Sequence, residues 1–231
     1  LEAVLADGTV IPAMNRMIKN NAAYDVKQLF IGTEGTLGVI TRLVLRLRES
    51  PRSTQSALVA CPTFTDVTRF LKHIDGTLGG SLSAFELMWN EFYRMVTTPP
   101  SKGTPPLPQT YDYYVLVESA GGDPARDQAQ FEEAIAAAIE AGLVVDAVVC
   151  ATEAQREALW ALRDDVEGIF RLGMPVAFDV SLPLAEMEGY VTEVVGRLER
   201  EWPAYCRFVF GHLGDKIGRK AFYLLKSVLA E

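Results

Sequence analysis

Residues 111–151, YDYYVLVESAGGDPARDQAQFEEAIAAAIEAGLVVDAVVCA, decide the fold. The run 111–121 reads as a strand. The run 124–142 reads as a helix, with Phe131, Ile135 and Ile139 on one face and Gly142 at its end. The run 144–151, VVDAVVCA, returns to a strand pattern. Upstream, SALVACP (56–62) reads as a strand and FTDVTRFLKHIDGTL (64–78) as a helix stopped by Gly76 and Gly79. SAFELMWNEFYRMV (83–96) fits either a strand followed by a helical turn or one short helix. TTPPSKGTPPLPQT (97–110) carries five prolines in fourteen residues and must be a surface loop. Downstream come a helix (152–173), a strand (175–183) and a last strand (206–212). Between those two strands a helix (184–202) places Leu184, Met187, Val191, Val194 and Leu198 at helical spacing. Strands and helices alternate, yet many connections are too short for a run of parallel βαβ units. The expected class is α+β, an antiparallel sheet with helices packed on one face.

The first fifty residues have a different pattern. LEAVLADGTVI opens on two apolar runs around Asp7-Gly8, a hairpin signal. A chain that opens inside a hairpin is expected to be a fragment. LFIGTEGTLGVITRLVLRLR (29–48) is a glycine-punctuated loop running into a strand, with Leu43, Leu45 and Leu47 alternating with Arg42, Val44 and Arg46. The polar ESPRSTQ (49–55) is the expected linker, which sets two domains at 1–50 and 56–231.

Composition narrows the partners. The 231 residues carry 22 Lys and Arg against 30 Asp and Glu, a net charge of −8. A nucleic-acid binder would show a basic face, and a peripheral membrane anchor a polybasic one. No apolar run is long enough for a membrane span. Three distant cysteines, Cys61, Cys150 and Cys206, form no CxxC pair and suit a reducing compartment. With no leader sequence visible, a cytoplasmic location is expected.

Three features carry candidate chemistry. Gly32, Gly35 and Gly38 are spaced three apart, neither a dinucleotide fingerprint nor a P-loop. They either supply special turn angles or let a backbone lie flat against a large planar ligand. Arg163 falls at the edge of an apolar stripe made by Leu159, Leu162, Val166, Ile169 and Phe170, where a guanidinium must reach water or meet an anion. His212 lies three residues before Asp215, so the pair could supply two metal ligands, a general base with its orienting acid, or a turn histidine. His73, inside a helical run, reads as surface or core.

Four stretches in order, QLFIGTEGTLGVITRLVLRL, LWALRD, FDVSLPL and FGHLGD, resemble the FAD-linked oxidases of the vanillyl-alcohol oxidase fold, in their D-2-hydroxyacid dehydrogenase branch. The resemblance implies that residues 1–50 end a PCMH-type FAD-binding domain and that 56–231 form an incomplete, ferredoxin-like substrate domain. It implies FAD as cofactor, with Gly32, Thr33, Glu34, Gly35, Gly38, Ile40 and Thr41 at the flavin. It makes Arg163 the substrate-carboxylate ligand and His212 a catalytic residue and divalent-metal ligand, zinc or similar. The small-molecule substrate would be lactate, glycolate or 2-hydroxyglutarate, the electron acceptor a quinone, an electron-transfer flavoprotein or a cytochrome, and a homodimer is allowed. Departures are plain: Lys216-Ile217 replaces the Gly-Asn of the family's metal motif, the second His and a Glu ligand have no counterpart, and Ala177 stands where the hydroxyglutarate branch has Lys. A catalytically silent binding domain of the same descent is the competing expectation.

Overall fold

A computed structural model describes residues 1–101, 103–166 and 182–202. The chain divides into two compact units, Leu1–Ser50 and Pro51–Glu231. In the first, β1 (Glu2–Val4) pairs antiparallel with β2 (Val10–Pro12) through the Asp7-Gly8 turn and with β3 (Val39–Arg42), in the order β2-β1-β3. A 3-10 turn at Val26–Leu29 precedes the glycine loop. Leu1, Ala3 and Phe30 make the small core. The strand expected to run through Leu47 stops at Arg42. Its register sets Arg42 opposite Glu2, which leaves nothing in β1 to pair with residues 44–47, and Leu43, Leu45 and Leu47 are exposed.

The second unit contains β4 (Ser53–Cys61), α1 (Phe64–Leu78), β5 (Leu82–Trp89), α2 (Asn90–Thr97), β6 (Tyr113–Gly121), α3 (Pro124–Glu140), β7 (Asp146–Val149), α4 (Glu153–Asp164) and α5 (Leu184–Glu201). The sheet order is β5-β6-β4-β7 with every pairing antiparallel, the split β-α-β arrangement of ferredoxin-like folds. The α+β class holds. Strand β4 begins at Ser53, inside the stretch read as a linker, because Ser53–Gln55 extend the ladder against Ser119–Gly121. Residues 83–96 resolve into the strand-then-helix alternative. Helix α1 runs past Gly76 and ends at Leu78, capped by Gly79.

Helices cover both faces of this sheet, not one. Ala57, Val59 and Cys61 of β4, with Val115 and Val117 of β6, pack against Phe70 and Ile74 of α1 and Phe131 and Ile135 of α3. The alternate residues Leu58, Ala60, Tyr114 and Leu116 pack against Phe92 and Tyr93 of α2 and Leu159 and Leu162 of α4. The cause lies in β4 and β6 themselves: ALVAC and YVLV are apolar at every position, and such strands need cover on both sides. His73 serves the first layer, its Nε2 lying 3.1 Å from the Ala134 carbonyl oxygen and tying α1 to α3. In the second unit α5 places Met187 against Phe64. No helix among the described residues is long and apolar enough to cross a membrane.

Tyr93 pins the proline-rich loop to the second layer. Its hydroxyl donates to the Leu107 carbonyl (2.9 Å) and accepts from the Leu107 amide (3.0 Å). Its ring stacks on Tyr114 at 3.8 Å. Burial pushes the Tyr93 hydroxyl up to about 12, against about 10 for an unfolded tyrosine. A raised folded-state pKa contributes stability that is whole below pH ~10 and is lost as pH rises towards 12. The wild-type melting temperature should therefore fall across that window by more than that of Tyr93→Phe, the difference reflecting about 2 kcal/mol. Parallel pH profiles for the two proteins in thermal melts would count against it.

Candidate functional site

Helix α4 carries two stripes. A capping box starts it: the Gln155 amide donates to Thr152 Oγ1 (3.3 Å) and the Thr152 amide donates to Gln155 Oε1 (3.2 Å). Leu159 and Leu162 then enter the apolar layer. Arg156, Trp160 and Arg163, spaced four and three apart, share a neighbouring stripe. They meet two carboxylates on the same sheet face: Glu118 of β6, opposite Ser56, and Glu86 of β5, opposite Leu116.

Glu118 Oε2 accepts from Ser56 Oγ (2.8 Å), Trp160 Nε1 (2.9 Å) and Arg156 Nη1 (3.3 Å). Arg156 also binds Glu153 through Nε and Nη2. Those hydrogen bonds to Glu153, with the Glu118 charge, hold its guanidinium pKa well above the ordinary value. Cys150 lies beside this group, its amide bound to the Ser56 carbonyl (2.8 Å), and burial raises its thiol pKa.

Arg163 donates from Nε (3.0 Å) and Nη2 (2.8 Å) to Glu86 Oε2, and from Nη1 to Asp164 Oδ1 (2.8 Å). Its side chain is 14% exposed and that of Glu86 21%, whereas Asp164 is 60% exposed. Burial opposes the charge on Arg163, but the hydrogen bonds to Glu86 and Asp164 outweigh it and raise its pKa. The cation at the edge of the apolar stripe thus meets an anion from the protein itself. On the other flank of α4 a cleft of about 790 Å³ opens between Cys150, Ala158 and Leu162 and the loop residues Pro100, Gly103 and Pro106; Arg163 does not line it. Helix α4 ends at Asp164, earlier than its apolar pattern suggested.

The glycine loop lies in the first unit. Gly32 and Gly35 have φ of +80° and +81°, and a Cβ on either would meet nothing within 4 Å. Backbone angle, not crowding, requires glycine there. Gly38 differs: its Cβ would lie 2.9 Å from the Val4 carbonyl oxygen and 3.2 Å from the Phe30 ring. Thr33 is occupied within the loop, its hydroxyl donating to the Phe30 carbonyl (2.9 Å), and Thr41 donates to Glu2 Oε1 (2.8 Å). Glu34 takes a positive φ of 51°. Gly32 and Gly35 leave an open backbone, and beside them Leu37, Val39 and Ile40 are exposed. Val39 and Ile40 are successive strand residues facing opposite sides of β3, so the bare backbone at Gly32 and Gly35, and not a continuous apolar surface, is what would admit one side of a planar ring.

The seven expected flavin contacts therefore gather on one loop and strand, and Arg163 lies in the other unit. His212, Asp215 and Ala177 lie outside the described residues. Among the described residues no group of three His, Cys, Asp or Glu side chains is arranged to hold a metal. Sequence reading missed Glu86, Glu118 and Arg156. A signal was present: both glutamates occupy positions of their strands whose neighbours two residues away, Met88 and Leu116, are buried.

A split β-α-β sheet serves many activities, so the class of this one comes from comparison with known proteins. The C-terminal domain of the FAD linked oxidases matches residues 50–217, so the chain belongs to the FAD-linked oxidase family. It is 36% identical over 222 residues to D-2-hydroxyglutarate dehydrogenase, mitochondrial, of Rattus norvegicus, covering 93% of this chain and 40% of that protein. The Bos taurus protein of the same name is 37% identical over 217 residues, covering 93% of this chain and 39% of its own. For the Arabidopsis thaliana protein the values are 32% over 216 residues, 93% and 38%. The chain thus spans about two fifths of the length of these relatives. Their names overturn the expected cytoplasmic location, since all three are mitochondrial proteins.

Proposed function

We propose that this chain is part of an FAD-dependent enzyme that oxidises a D-2-hydroxyacid to the 2-oxoacid. The observation carrying this reading is Arg163, a half-buried forked cation at the edge of an apolar face, in a chain of the FAD-linked oxidase family. A guanidinium suits a carboxylate because it offers two parallel donors. Glu86 takes the Nε–Nη2 side of the fork, and the exposed Asp164 at Nη1 is the partner a substrate carboxylate would displace. Exposed ion pairs of that kind contribute little. Residues 1–50 then form the end of a PCMH-type FAD-binding domain, with Gly32, Gly35, Gly38 and Ile40 along one side of the flavin. The flavin, when bound, supplies the chemistry of accepting hydride from the substrate Cα. His212, outside the described residues, would stand beside the substrate hydroxyl as a ligand of a divalent cation, which would lower that hydroxyl's pKa. The names of the relatives favour 2-hydroxyglutarate as the substrate over shorter acids.

The pairing of Arg163 with Glu86 is also what a silent binding domain would show, its cation already satisfied. Anaerobic addition of hydroxyacids to the full-length flavoprotein separates the readings. The visible flavin band should bleach with D-2-hydroxyglutarate, less with D-lactate, and not with the L-enantiomers. A flavin-loaded protein whose band no D-2-hydroxyacid bleaches would establish the silent domain.

A further inference from the structure

We propose that Glu86 is a positioning residue: it holds the guanidinium of Arg163 at the angle from which the end of the fork can take a substrate carboxylate. The proposal rests on the reading of Arg163 as substrate anchor. Both Nε–H and one Nη2–H converge on a single oxygen, Glu86 Oε2, at 3.0 and 2.8 Å, which fixes the plane of the fork along its side edge. With Nη1 on Asp164, three of the five N–H groups of an arginine are engaged; a substrate carboxylate displacing the exposed Asp164 would meet Nη1 and the second Nη2–H at the end of the fork. Glu86 is well placed to hold that geometry. Its backbone belongs to β5 at the sheet edge, in register with Leu116, so its carboxylate projects from a rigid element.

The neighbouring pair shows the contrast. Arg156 is met by Glu118 and, through Nε and Nη2, by Glu153, and Glu118 is itself closed off by Ser56 and Trp160. That pair is a finished structural network. In the Arg163 pair the second carboxylate is instead Asp164, an exposed residue next to it in the chain. One edge of Arg163 is clamped from the sheet and the other is offered outward.

The test compares Glu86→Gln, Glu86→Ala and Arg163→Met in the full-length flavin-loaded enzyme. Misorienting an anchor acts on the reacting geometry, so kcat should fall in Glu86→Ala by up to about 100-fold. KM should stay level or fall, because removing a carboxylate beside the cation strengthens simple anion attraction. Glu86→Gln should recover part of kcat, since its amide oxygen can still accept from Nε. A second readout is calorimetric binding of the 2-oxoacid product, expected to be as tight as wild type or tighter in both Glu86 variants. If Arg163→Met loses activity while both Glu86 variants keep wild-type kcat and only melt lower, Glu86 is a structural partner and the positioning role is overturned. A rise in kcat/KM in Glu86→Ala would also overturn it, marking Glu86 as a competitor for the cation. Wild-type kinetics in Arg163→Met would overturn the anchor reading and this proposal together.

Discussion

Replacing Arg163 with Met in the full-length enzyme should lower kcat/KM for a D-2-hydroxyacid by about two to three and a half orders of magnitude. A charge-assisted pair contributes roughly 1.5–3 kcal/mol, and a substrate carboxylate left unpaired costs about as much again. Their sum, about 3–5 kcal/mol, is the stated loss in rate. Methionine keeps much of the aliphatic stem, so packing beside Leu159 and Leu162 should survive. The substitution also leaves the carboxylate of Glu86 without its Arg163 donors, and at 21% exposure that is not free of cost. About 1–3 kcal/mol of stability should go with it. The double variant Glu86→Gln with Arg163→Met removes that charge and should regain stability without regaining activity. Arg163→Lys should restore only part of the rate, because an ammonium cannot present the fork. Steady-state kinetics with circular dichroism on each variant decides the matter; wild-type kcat/KM in a folded Arg163→Met protein would show that Arg163 only pairs with Glu86.

The second large effect is on stability. Glu118→Ala should destabilise the second unit by about 3–5 kcal/mol. The Glu118 side chain is 13% exposed and one of its oxygens serves three donors. Its removal leaves the Trp160 indole and the Ser56 hydroxyl without that acceptor in a closely packed site. Arg156 keeps Glu153, which limits the loss. At about 2–4 °C per kcal/mol for a unit of this size, the melting temperature should drop by roughly 6–20 °C. Glu118→Gln, which retains an acceptor oxygen, should lose less. A drop under about 2 °C in Glu118→Ala would mean that α4 is held by Leu159 and Leu162 alone.

Much of this could be read from the residues alone, where a local rule was sufficient. Thr152 with Gln155 and Asp123 before Pro124 each act within one turn, so the starts of α3 and α4 carry local signals; of the face expected for α3, Phe131 and Ile135 are buried but Ile139 is exposed. Local signals also mark the Asp7-Gly8 hairpin and β4 and β6, whose apolar runs have no other stable use. Family membership also lay in the sequence, since its motifs are ordered along the chain. Tertiary structure alone decided the rest. Alternation in LVLRL predicts a strand, but a strand exists only where a partner lies in register, and the ladder from β1 ends opposite Arg42. The continuous apolar character of β4 required cover on both faces, yet only packing shows that α2 and α4 provide the second layer. The anion that Arg163 meets is 77 positions away in sequence, on Glu86. No local pattern specifies such a pair, because it depends on sheet register and helix placement, which the whole core sets at once.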